Sequence, residues 1–378
     1  MEEVKIEKLD HQGRGIGRLK GIVTFIPYAL PGEIVKIKPV KIKKKYIEGE
    51  IVSFIKKSPE RIEPVCPYFS LCGGCSLMHT KDEEEYKNEM IKDIFNRYLN
   101  ENIKINPIQS FERFNYRNKI ILQVKDKIGF YKNNSNEIIE IDKCLLADNK
   151  INKILKELKK NLNTKDISKI VIRASKNTSD TMITIDDKNA DNKPYIKEKL
   201  GDYTFLISSG SFFQTNTLVA QKLYDEIIRL GKFNKNDKVL DLYCGTGTIG
   251  IYISKHVKEV LGIEIVKEAI KDANNNKKIN NIPNISFICG DVGNILGKQD
   301  NNFDVIIVDP PRKGLGRKTI VEILKLKPKK VIYVSCNPLT LVRDLNLLKD
   351  EYEIKEVSPF NMFPNTYHVE CVCVLELK

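Results

Sequence analysis

From about residue 237 onward the chain repeats one pattern: a short apolar run rich in β-branched residues, a turn, then a helical stretch. The runs are 238–242, 260–264, 285–288, 303–308 and 331–334, and residues 369–377 form a further strand that closes the chain. Runs without polar alternation suit strands buried on both faces, and strands alternating with helices build a helix-covered parallel sheet. The pattern predicts a doubly wound α/β domain, whose ligands bind beyond the carboxyl ends of the strands.

The ends of those runs carry the polar chemistry. Tyr243-Cys244-Gly245-Thr246-Gly247 is a glycine turn opening a helix, Glu264 ends the second run, Asp291 follows the third, and Asp309-Pro310-Pro311 ends the fourth. Glycines let a ligand approach the backbone, and an acid at the end of the second strand accepts ribose hydroxyls, so the set suits an adenosine cofactor. NAD is one candidate. The turn reads D-L-Y-C-G-T-G-T-I-G rather than G-x-G-x-x-G, however, and an acid ahead of it favours S-adenosylmethionine, whose tail carries an ammonium group. A single such acid is more often a solvated loop carboxylate; several in register at strand ends make that explanation poor.

Cys336 follows the fifth run, and Asn337-Pro338 has the composition of a helix start. A sulfur beside a helix N-terminus sits where a thiolate is favoured, which makes Cys336 a candidate nucleophile; a buried structural cysteine is the competing reading. Tyr367-His368-Val369-Glu370 places an acid in an otherwise apolar terminal strand. Asp309-Pro310-Pro311 is followed by Arg312 and Lys313 rather than an aromatic residue, which reads as a phosphate-facing loop and not as an amine methylation site.

The N-terminal part is different. Residues 1–57 show strand-like runs at 4–9, 21–27, 34–40 and 46–54, punctuated by glycine and proline, and predict a small five-stranded barrel of the OB type. This segment holds 13 Lys/Arg against 7 Asp/Glu, with the densest cluster at 41–45, and the whole chain carries a net charge of +13, which points to a polyanion partner such as nucleic acid. Cys66, Cys72 and Cys75 form C-x5-C-x2-C around two glycines, and Cys144 is the candidate fourth ligand. Four cysteines hold either a structural zinc or an iron–sulfur cluster, and spacing does not decide between them. Residues 82–99 predict a helix whose spacing puts Tyr86, Met90, Ile91, Ile94 and Tyr98 on one face. Tyr116-Arg117 reads either as an RNA contact or as a surface strand with a salt bridge. The absence of a long apolar run and of an apolar N-terminal core predicts a cytoplasmic protein with no membrane association.

Taken together, these residues resemble the S-adenosylmethionine-dependent RNA (uracil-5-)-methyltransferases. The resemblance rests on the four cysteines, S-F-F-Q-T-N at 211–216, D-L-Y-C-G-T-G at 241–247, D-P-P-R at 309–312, S-C-N-P at 335–338 and H-V-E at 368–370. The stretches Gly13-Arg14-Gly15-Ile16-Gly17 and Ala29-Leu30-Pro31-Gly32-Glu33 are similar to the RNA-binding TRAM domain. The resemblance implies a TRAM-like barrel (1–57), a central α+β iron–sulfur domain (58–205) whose residues 81–110 pack on the catalytic domain, and a Rossmann-like methyltransferase domain (206–378). It implies a [4Fe-4S] cluster on Cys66, Cys72, Cys75 and Cys144, cofactor contacts from Gln214, Tyr243, Glu264 and Asp309 with Asp291 near the adenine, Cys336 as nucleophile and Glu370 as base. A barrel together with four cysteines is similar to the ribosomal-RNA branch, so the expected substrate is 23S ribosomal RNA, acted on by a monomer without an obligate protein partner. The alternatives are 5-methyluridine formation in tRNA, another methylated base, and a non-catalytic metal-containing RNA-binding protein. Phe212 or Phe213 is a candidate to stack on the target base, with core packing the competing reading for at least one of them, and His368 is expected to orient Glu370, contact RNA or serve the fold.

Overall fold

The computed structural model describes residues 2–99, 103–299 and 302–378. Strands β1 (Glu2–Leu9), β2 (Gly15–Leu19), β3 (Ile22–Ile26), β4 (Ile34–Ile42) and β5 (Tyr46–Lys56) close into a barrel in the order β1-β2-β3-β5-β4. Val4, Ile6, Ile26, Val35 and Ile37 fill it. Four of these strands coincide with the apolar runs, but β2 does not, because Gly15 and Gly17 read as turn residues. A Cβ on Gly17 would lie 2.4 Å from the Lys5 carbonyl oxygen, and one on Gly15 would lie 2.8 Å from the Ala29 Cβ. The glycines are therefore strand positions where backbone passes too close for a side chain.

Residues 58–80 lead away from the barrel, held by Arg61, whose guanidinium donates to buried Glu33 at 2.5 and 2.8 Å and to the Tyr28 carbonyl at 2.7 Å. Helix α1 (Glu83–Leu99) follows. Its buried face is Glu83, Lys87, Ile91, Ile94, Phe95 and Leu99, rotated from the face that the apolar spacing predicts, and Tyr98 is exposed. The rotation brings an ion pair inward, which apolar spacing does not register.

After β6 (Lys104–Ile105) come β7 (Lys119–Val124), β8 (Ile128–Tyr131), β9 (Ile138–Glu140), α2 (Asn149–Asn161), β10 (Lys169–Ala174), β11 (Thr181–Ile185) and β12 (Lys188–Asn189). Apart from β6, these strands form an antiparallel sheet ordered β12-β11-β10-β7-β8-β9, against which α2 packs Ile151 and Leu155. A separate hairpin joins β13 (Ile196–Leu200) to β14 (Tyr203–Ile207).

The remaining elements are α3 (Thr217–Gly231), β15 (Lys238–Leu242), α4 (Thr248–Ile253), β16 (Glu259–Glu264), α5 (Lys267–Ile279), β17 (Ile285–Cys289), α6 (Val292–Leu296), β18 (Val305–Val308), α7 (Arg317–Leu326), β19 (Lys330–Ser335), α8 (Pro338–Leu348), β20 (Tyr352–Phe360) and β21 (Glu370–Leu377). The sheet order is β17-β16-β15-β18-β19-β21-β20-β6. Strands β15 to β19 are parallel, and β21 runs antiparallel between β19 and β20. Alternate residues serve two cores: Val239, Ile307, Val334 and Val372 face one, while Leu240, Ile306, Tyr333, Cys371 and Cys373 face the other. The second core also takes in Ile91, Ile94 and Phe95 of α1, and β6 extends the sheet beside β20. This is a Rossmann-like arrangement in which the chain turns back between β15 and β18, opening a crevice at their carboxyl ends. Among the described residues no helix is long and apolar enough to cross a membrane.

Candidate active site

Cys336 leaves the end of β19 and Asn337 caps α8, its side chain accepting from the Leu339 N–H at 3.2 Å. The β19–β21 ladder ends where Ser335 pairs with Cys371, and Cys336 and Glu370 are the residues next to that last pair. The environment does not favour the thiolate in the way the helix start suggests. Burial, then Glu370 and Asp309, push the Cys336 thiol up to about 12, against a smaller opposing effect of Arg312. Glu370 is only 2 % exposed, and burial and Asp309 raise its carboxyl well above the usual range.

The strand-end acids converge on the crevice. Half-buried Glu264 accepts the Gly245 N–H at 3.2 Å and the Val266 N–H at 2.9 Å. Burial lifts Asp309 to about 7. Asp241, inside β15, accepts the Gly250 N–H at 2.9 Å through one oxygen while the other is buried without a partner among the described residues; burial raises it to about 7 as well. Between them lies the turn. Tyr243 holds φ +63°, a conformation uncommon for a residue with a side chain, and Gly245 and Gly247 hold +53° and +78°. A Cβ on Gly247 would strike the Phe287 ring at 2.7 Å, whereas one on Gly245 would meet nothing within 4 Å. The open space over Gly245, beside Glu264, suits close approach of an adenosine cofactor. Asp291 is exposed and caps α6, accepting the Asn294 N–H at 3.0 Å. Gln214 is buried, and its backbone carbonyl accepts from Asn118 at 2.8 Å. Tyr224, which no sequence motif marks, lies within reach of these acids: burial, then the carboxyls of Asp309, Asp241 and Glu370, raise its hydroxyl, which donates to Thr248 at 3.1 Å.

Arg312 is exposed after β18. Its guanidinium lies 3.1 Å from His368 Nε2 and shares a cavity with Cys336, and its carbonyl accepts from Asn337 and Thr340 at 3.2 Å each. Burial and Arg312 hold His368 down to about 4, so its imidazole is neutral and receives the guanidinium hydrogen bond. The segment before it is anchored from α1: Lys87 donates to Glu83 at 2.7 Å and to Asn361 at 2.6 Å, and Glu83 accepts the Asn365 N–H at 2.9 Å.

Cys66, Cys72, Cys75 and Cys144 are all half-buried and line one cavity of about 640 Å³ together with Arg117 and Phe212. Burial and neighbouring thiols raise Cys75 and Cys72. Among the described residues no group of three or more His, Cys, Asp or Glu is arranged to hold a metal ion. A single tetrahedral zinc, at about 2.3 Å from each sulfur, needs its ligands almost in contact. Tyr116 is buried and donates to the Pro364 carbonyl at 3.0 Å, so it is neither an RNA platform nor a surface residue. Burial opposes the charge of Arg117, but Tyr116, Cys144 and Cys75 more than offset it. The S-F-F-Q-T-N segment divides the two rings between roles: Phe213 is buried against Phe205, while Phe212 is 66 % exposed over the cysteine cavity.

Three family models match the chain: a TRAM domain at residues 1–52, a tRNA (Uracil-5-)-methyltransferase model at 145–291 and a methyltransferase domain at 233–375. An uncharacterized RNA methyltransferase of Halalkalibacterium halodurans is 35% identical, over 100% of this chain and 97% of that protein. An uncharacterized RNA methyltransferase of Staphylococcus aureus is 34% identical, over 98% of this chain and 96% of that one. The crystal structure of a Pyrococcus abyssi tRNA (uracil-54, C5)-methyltransferase with S-adenosyl-L-homocysteine superposes with a TM-score of 0.81 at 28% identity, over 99% of each chain.

Proposed function

The chain belongs to the S-adenosylmethionine-dependent RNA (uracil-5-)-methyltransferases, and we propose that it methylates a uridine of 23S ribosomal RNA through a covalent cysteine adduct. What supports the chemistry is that Cys336 and Glu370 flank the last pair of the β19–β21 ladder and that the Glu370 carboxyl acts on the Cys336 thiol. Uracil C5 is a poor nucleophile. Cys336 gives up its proton to solvent and adds as the thiolate to C6, and the C5–C6 electron pair moves into an enolate whose C5 is electron-rich, dividing a hard step into easier ones. Gln214, Tyr243, Glu264 and Asp309 would hold S-adenosylmethionine, with Asp291 toward the adenine, and the cofactor would supply an electrophilic methyl group. The methyl passes to C5 and S-adenosylhomocysteine departs; Glu370, ionised in the complex and made a stronger base by its raised pKa, then takes the C5 proton, the C6–S bond breaks and the Cys336 thiolate is released. The target base must leave its stack to reach this depth.

The four cysteines would hold a [4Fe-4S] cluster as thiolates, a bulkier group than one ion, and Arg117 would balance its negative charge. The ribosomal target rests on the combination of the barrel and these cysteines. A second reading, tRNA, is favoured by the Pyrococcus abyssi enzyme, whose likeness spans the barrel as well, so the barrel alone does not separate the two. Mapping 5-methyluridine in ribosomal RNA and tRNA from cells with and without this gene tests both: loss of a 23S position supports the first, and loss confined to tRNA overturns it.

A further inference from the structure

The loop between β1 and β2 crosses from the barrel to the catalytic pocket. A cavity of about 170 Å³ that contains Cys336, Arg312, Tyr367 and His368 has His11 and Gln12 in its wall. The loop is fixed in place. Buried Asp10 accepts the Gln12 N–H at 2.9 Å, the Arg14 N–H at 2.8 Å and the Arg14 Nε at 2.8 Å. Gly13, at φ +71°, is packed so closely that a Cβ there would lie 3.2 Å from Leu77 and 3.3 Å from the Tyr367 Cβ. Leu77 is in turn bound through its N–H to the Asn365 carbonyl at 3.0 Å, and the Tyr367 N–H donates to Ser76 at 2.9 Å. Lys8 pairs with Asp93 of α1 at 3.0 Å beside the loop. On this rigid backbone the two side chains are exposed, and among the described residues their one side-chain hydrogen bond is to each other, at 3.4 Å.

We infer that His11 and Gln12 read the nucleotide next to the target uridine, the imidazole stacking on its base and the amide bonding its edge. The inference rests on the covalent uridine chemistry proposed above. A flipped base occupies the depth of the pocket at Cys336 and leaves its neighbour at the rim, where flanking contacts set substrate choice. Unstacked RNA bases are recognised by aromatic stacking and by hydrogen bonds to their edges, and these two side chains supply one of each. Target selection then belongs partly to the barrel, acting at the reacting centre and not only as a distant cationic handle.

The test uses a pool of transcripts, each with one 5-fluorouridine between randomised neighbours. Fluorine at C5 cannot leave as a proton does, so an RNA that reacts stays bonded to Cys336 and can be sequenced. The wild-type protein is expected to enrich particular neighbours, and His11→Ala and Gln12→Ala to flatten the preference at one adjacent position by about tenfold, the scale of one lost base-edge contact. Both variants should keep wild-type cofactor affinity and unfolding temperature, so a purely structural role would leave the preference intact. Variants that enrich the same neighbours as strongly as wild type overturn the inference. A wild-type protein that binds S-adenosylmethionine yet traps no RNA overturns the covalent reading, and this inference with it.

Discussion

Cys336 and Glu370 are brought near one another by the last pair of the β19–β21 ladder, Ser335 with Cys371, and the Glu370 carboxyl raises the Cys336 thiol. Their proximity is a matter of backbone register. A slip of one residue in β21 would send Glu370 into the opposite core and bring Cys371 toward the crevice. The flanking pairs hold the register from both sides, since Glu370 itself pairs with Phe360 of β20.

Replacing Cys336 with Ala should abolish methyl transfer while S-adenosylmethionine binding by calorimetry stays close to wild type, because the sulfur is offered to the pyrimidine. Glu370→Gln should transfer a methyl group but fail to release RNA, giving a protein–RNA adduct visible as a shifted band in a denaturing gel. A fully active alanine variant removes the nucleophile assignment; a glutamine variant that turns over normally removes the base.

With its pKa pushed up to about 12, Cys336 should be a slow thiol in the free protein. Peptide-resolved alkylation by iodoacetamide should be far slower at Cys336 than at exposed Cys289 near pH 8, and should climb steeply above about pH 10. Arg312→Ala should slow it further, since that guanidinium is the charge that opposes the shift. Fast alkylation of Cys336 at neutral pH would contradict this electrostatic picture.

Buried Asp241 gives a pH dependence whose sign is fixed. Its folded-state pKa is raised to about 7, against an unfolded value of about 4. The folded protein therefore keeps a proton that the unfolded chain has lost between those values, and stability falls as pH rises through that window. Asp241→Asn should stabilise the cofactor-free protein at pH 8 but not at pH 4, by up to an amount on the order of 4 kcal/mol. Denaturant midpoints at the two pH values measure it, and equal gains at both would refute the assignment.

Much of this site was legible because its pieces are local. Buried strands show as unbroken apolar runs, so the carboxyl ends of β15, β16, β18 and β19 could be found, and with them Glu264, Asp309 and Cys336. The cap at Asn337 is equally a matter of adjacent residues. What escaped depends on tertiary neighbours. Gly17 is a strand residue because Lys5 lies across from it, which no local pattern records. Strand β20 alternates polar and apolar residues over its first half and carries Pro359 next to its last residue, so it does not resemble the buried runs. Arg312 meets His368 only when the loop after β18 folds over the start of α8. His11 reaches Cys336 from the other end of the chain.

Lys87 should matter to both stability and activity although it touches no substrate. Its ammonium is 1 % exposed and joins Glu83 to the segment that leads into His368 and Glu370. Lys87→Met leaves the Glu83 carboxylate buried with one charge partner fewer, which typically costs about 3–5 kcal/mol. Urea denaturation should show that loss, and methyl transfer at a temperature where the variant stays folded should fall as well. The double variant Lys87→Met/Glu83→Gln should recover much of the stability by removing the stranded charge, without full activity, because the hold on Asn361 and Asn365 is still weakened.

The four cysteines lead to a prediction about metal content. If Cys66, Cys72, Cys75 and Cys144 carry a [4Fe-4S] cluster, protein purified without oxygen should contain about four iron and four sulfide per chain and absorb visible light. Cys75→Ser should lower iron and bleach the colour. Arg117→Ala should shift the reduction potential, since its guanidinium is the cation beside Cys144 and Cys75. A single zinc per chain with no visible band would overturn the cluster in favour of an ion. That outcome would require the sulfurs to close together around one centre, a rearrangement measurable as a change in iodoacetamide protection when the metal is chelated.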